Sequence, residues 1–98
     1  MITAGSKKEA EKIKDVLLAE KLVACVNIIS GIKSYFWWKG KIDSCPEVLL
    51  LAKTQRKIFP GIVRAVKKVH SYEVPEIIAL PIIAGSQDYL DWLTTSCV

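Results

Sequence analysis

Ninety-eight residues contain one histidine, one methionine and three cysteines, and each scarcity closes a class of function. Cys25, Cys45 and Cys97 are odd in number and form no Cys-x-x-Cys pair, so neither a disulfide framework nor a zinc knuckle is indicated and reduced thiols are expected. With a lone His70, no Gly-x-Ser-x-Gly elbow and no glycine-rich phosphate loop, nucleophilic catalysis lacks its constellation. No apolar run nears the ~20 residues of a membrane span, and no N-terminal series of charged, apolar and small residues reads as a signal peptide; the expected compartment is the cytoplasm. Lysine and arginine are absent from residues 70–98, which carry four acids, whereas residues 33–68 hold nine basic residues against Asp43 and Glu47. Such polarity serves either nucleic acid or the meeting of a basic and an acidic face on identical subunits.

What is abundant is apolar side chain, 51% of the residues, more than the core of so short a chain can cover. A single domain over residues 1–98 is expected, with burial against partner chains as the outlet. Ile2-Thr3-Ala4 is a short β-compatible run. Ser6-Lys7-Lys8-Glu9 has the capping-box pattern and opens a helix over residues 7–22, with Ala10, Ile13, Val16, Leu17 and Leu22 near a 3.6-residue period. Residues 25–38 are β-branched and aromatic, Lys39-Gly40-Lys41 makes a turn, and a second β-rich run ends at Thr54, which predicts a long hairpin. Thr54 is expected to cap a second helix, regular from near Lys57, whose stripe is Phe59, Ile62, Val63, Val66 and Val69. Pro75 to Ile83 reads as a last strand and Gln87 to Thr95 as a short C-terminal helix.

The order β-α-β-β-α-β is the split pattern of an α+β, ferredoxin-like sandwich, with two helices on one face of a four-stranded antiparallel sheet. Nothing covers the other face. Adjacent Trp37 and Trp38 must point to opposite sides of their strand, and one helical layer cannot cover both. If residues 25–38 form one arm, it reaches on the order of 45 Å at ~3.3 Å per residue, with Gly31 marking a bulge. Docking of this arm on sister subunits explains its aromatics, against the plainer reading of one core and one wet tryptophan.

Leu22-Val23-Ala24-Cys25-Val26-Asn27-Ile28, Tyr35-Phe36-Trp37-Trp38-Lys39-Gly40-Lys41-Ile42, Glu47-Val48-Leu49-Leu50, His70-Ser71-Tyr72-Glu73-Val74-Pro75-Glu76-Ile77 and Tyr89-Leu90-Asp91-Trp92 together resemble the CutA divalent-cation tolerance proteins over nearly the whole chain. The resemblance implies a compact homotrimer with packed sheets and hairpin arms crossing between subunits, serving divalent-cation tolerance without catalysis. It also implies copper or another divalent ion such as zinc, with no organic cofactor. The metal ligands map onto Cys25, His70, Glu73 and Glu76. Two departures stand out: the first strand is shorter than the family's, which reads as a truncation, and Ser71 stands where the family has Pro after the His.

Thiolate, imidazole and carboxylate suit copper or zinc. In a sheet of order 4-1-3-2, however, Cys25 begins strand 2 and His70 precedes strand 4 on the opposite edge, on the order of 20 Å away. Only a subunit boundary would join them, whereas His70, Tyr72, Glu73 and Glu76 can cluster locally. Plainer roles stand beside these: Cys25 as a small hydrophobe, His70 against a helix C-terminus, and Glu73 and Glu76 paired with a neighbour's lysines. Cys45 and Cys97 receive no role. Acylphosphatase-like chemistry fails because Ala4-Gly5-Ser6 offers no cation to phosphate, and an RNA-recognition module fails because Glu47-Val48-Leu49-Leu50-Leu51 lacks the stacking aromatics. Neither membrane nor nucleic acid is an expected partner. The alternative to metal tolerance is a trimeric small-ligand sensor or scaffold similar to the PII signalling proteins.

Overall fold

The computed structural model describes residues 1–98. Strand β1 (Ile2–Ala4) leads into helix α1 (Lys7–Ala19), followed by strands β2 (Cys25–Trp38) and β3 (Lys41–Lys53), a 3₁₀ turn at Arg56–Ile58, helix α2 (Phe59–Val69) and helix α3 (Gln87–Ser96). The sheet has three strands in the order β1-β3-β2, antiparallel throughout.

Ser6 starts α1 as the capping box predicts: its side chain accepts the Glu9 N–H at 3.1 Å, and Glu9 Oε1 accepts the Gly5 N–H at 3.1 Å. The helix stops three residues before the predicted Leu22. Lys21 takes a left-handed backbone, φ 54°, and the Lys21 and Leu22 N–H groups turn back to the carbonyls of Leu18 and Leu17, closing a Schellman motif without a glycine. Thr54 is not a cap for α2. Its hydroxyl donates to the Leu22 carbonyl at 2.6 Å, tying the end of β3 to the loop after α1, and the Arg56–Ile58 turn brings Pro60 into the first turn of α2.

The hairpin is as long as the sequence implies. Lys39 and Gly40 both have positive φ, 51° and 79°, the requirement of a two-residue turn whose twist matches its strands. Between the pairs Ile29↔Leu49 and Ile32↔Glu47, β2 carries one residue more than β3. Gly31, at φ 82°, sits in that bulge, a conformation glycine adopts freely.

The predicted fourth strand is not a strand. Pro75 to Ile83 makes one isolated bridge, Ile77 opposite Ile2, with the Ile78 N–H donating to Met1 O and the Met1 amine to Ile78 O. Pro75 and Pro81 lack N–H donors, and the three-residue β1 offers a ladder too short to extend the pairing.

Ile2 and Ala4 of β1 lie opposite Leu50 and Val48 of β3, and these four meet Ile13 and Leu17 of α1 and Ile62 and Val66 of α2 in the core. Leu93 of α3 and Cys97 just beyond its end close it, and this end is held by Gln55 Nε2 donating to the Thr94 and Cys97 carbonyls. Alternation along β3 then puts Glu47, Cys45 and Asp43 on the face away from the helices.

Candidate functional site

The open side of the hairpin bounds a groove of about 770 Å³. Its floor takes Asp43, Cys45 and Glu47 from β3 and Phe36 and Trp38 from β2; its rim takes Tyr72, Glu73 and Glu76 from the segment after α2. Cross-strand register explains the grouping, because Phe36 pairs with Asp43 and Ser34 with Cys45, so their side chains share a face. Four carboxylates line the groove and no lysine or arginine does.

Glu47 is buried, and its Oε2 accepts the Tyr72 hydroxyl at 2.8 Å. Burial, then the hydrogen bond and charge of Glu47, and then Cys45 beside them push the Tyr72 hydroxyl well above the ordinary tyrosine range, keeping it a donor. The Tyr72 ring leans on His70 with centroids 4.7 Å apart.

His70 lies under this rim with its side chain fully buried. Nε2 is 2.7 Å from the Thr3 carbonyl, which only accepts, so Nε2 carries the proton. Nδ1 accepts the Tyr72 N–H at 3.1 Å. Both nitrogens are therefore engaged, and neither lone pair nor proton remains for an ion; the 3.9 Å approach of Nδ1 to Glu9 Oε2 is packing, since that oxygen instead accepts the Ser71 N–H at 2.7 Å.

The four expected metal ligands do not converge. Cys25 begins the edge strand β2, half-buried, with Lys53 Nζ 4.0 Å from its sulfur and hydrogen-bonded to Asn27. His70 bonds to β1, with β3 between the two. Glu73 and Glu76 reach the groove together, and no three His, Cys, Asp or Glu side chains in the chain stand close enough to hold a metal ion. The local His70–Glu76 cluster thus divides, with His70 turned inward and the others toward the groove. Glu47 and Cys45 belong to the site but were given no part by the sequence reading. The signal was present in the alternation of Asp43, Cys45 and Glu47, three polar residues on one strand face that a buried sheet would fill with apolar ones.

Residues 1–96 match the family model of the CutA1 divalent ion tolerance protein. The chain belongs to that family. The divalent-cation tolerance protein CutA of Thermus thermophilus is 46% identical over 93 residues, covering 95% of this chain and 90% of the relative. The chloroplastic CutA 1 of rice, Oryza sativa, is 42% identical over 95 residues, 97% of this chain but only 54% of the relative, so the chain spans about half of that longer protein. The solved structure of the T. thermophilus divalent cation tolerance protein superposes with a TM-score of 0.97 at 44% identity, covering 99% of this chain and 94% of that one. The CutA1 family is thus named for tolerance of divalent ions rather than for an enzymatic activity.

Proposed function

We propose that this chain serves divalent-cation tolerance as a non-enzymatic homotrimer that takes copper or another divalent ion at its subunit boundaries. The observation that carries this reading is the apolar surface the protomer leaves open: Trp37 is 72% exposed and Ile83 93%, with Tyr35, Ile42, Leu80 and Ile82 also exposed on the hairpin and the extended segment. A surface of that extent is an interaction site in a water-soluble protein. Within one protomer the donor set does not fit a metal ion. Glu73 and Glu76, both exposed on the groove rim, are the donors best placed to be completed by a second subunit, while His70 is engaged and Cys25 stands apart. The cytoplasm remains the proposed compartment, supported by three cysteines that stand as free thiols.

Isothermal titration of metal-free protein with copper and zinc tests the ligand assignment. Saturable binding that is weakened in Glu73→Ala and Glu76→Ala is expected. Unchanged stoichiometry and affinity in both variants would remove these residues from the site.

One observation favours the second reading, a small-ligand sensor or scaffold: the groove volume of about 770 Å³ lies within the range of small-molecule sites. Saturable binding of a small metabolite with no effect of copper or zinc would select it.

A further inference from the structure

We draw no further inference here: the strongest candidate, the groove of about 360 Å³ between α1 and α2 lined by Val16, Leu22, Ala65 and Val69 with Arg64 and Lys68 beside them, carries nothing because both cations are exposed side chains and nothing in the structure shows what covers it.

Discussion

The Glu9 carboxylate sits where α1 begins, Oε1 on the Gly5 N–H and Oε2 on the Ser71 N–H, so one side chain fastens the helix start to the segment that carries Tyr72. Burial alone would raise its pKa, but hydrogen bonds from Ser71 and the Gly5 N–H outweigh it and hold the group below its ordinary 4.5. A folded-state value lower than the unfolded one stabilises the fold above 4.5, and that contribution disappears as pH falls below 4.5 through the folded value. Glu9→Gln should therefore cost about 1–2 kcal/mol at pH 7. Urea titrations of both proteins should show that difference shrinking as pH drops below 4.5. His70→Ala removes the donor to Thr3 O and the acceptor of the Tyr72 N–H from a fully buried place, for which a loss of about 2–4 kcal/mol is expected in the same measurement. Copper and zinc stoichiometry should not change, because His70 has no free lone pair to offer an ion. The sequence groups Glu73 with Glu76, and both line the groove, because local spacing suffices for neighbours on one segment. It misassigns His70 because whether an imidazole faces solvent or a strand carbonyl is decided by packing against β1, sixty-seven residues away in sequence.

At the scale of elements, signals that depend on a few adjacent residues were legible. The capping box set the start of α1, Lys39-Gly40 the hairpin turn, and Gly31 the bulge, since each reflects a local backbone demand. The last strand failed because the apolar run from Pro75 to Ile83 describes a chain that is extended, whereas a ladder also needs a neighbouring strand of matching length, and β1 has three residues. The end of α1 was lost for a related reason: Lys21 accepts a left-handed backbone that sequence reading reserves for glycine. Lys21→Gly should accordingly stabilise the fold by about 1 kcal/mol, and Gly31→Ala, at φ 82°, should destabilise it by about 1–2 kcal/mol. Midpoints of denaturant unfolding at constant slope check both changes. Because Gly31 bends β2 below the tryptophans, its substitution should also loosen assembly, visible as a concentration-dependent midpoint.

For the whole molecule, two uneven distributions point the same way. The protomer extends 45 Å along its longest axis for a core that occupies only its helix-covered end. Beyond that core the hairpin carries Trp37 beside Ile42 on one face and Trp38 beside Phe36 on the other, with no layer of this chain over either. In the proposed trimer, the positive charge of residues 33–68 would meet the acidic groove of a neighbouring subunit. Replacing Trp37 by Asp should leave the protomer core intact, since Trp37 touches none of it, while weakening association by roughly a hundredfold or more, as loss of a central aromatic anchor does. Sedimentation velocity over a dilution series reads that change. The most direct measurement is the mass of the wild-type protein at micromolar concentration by sedimentation equilibrium. A single species of about 33 kDa, three times the 10.9 kDa chain, is expected, with its indoles shielded from iodide. A monodisperse particle of one chain mass, with those indoles equally shielded, would contradict the burial of the hairpin between sister subunits.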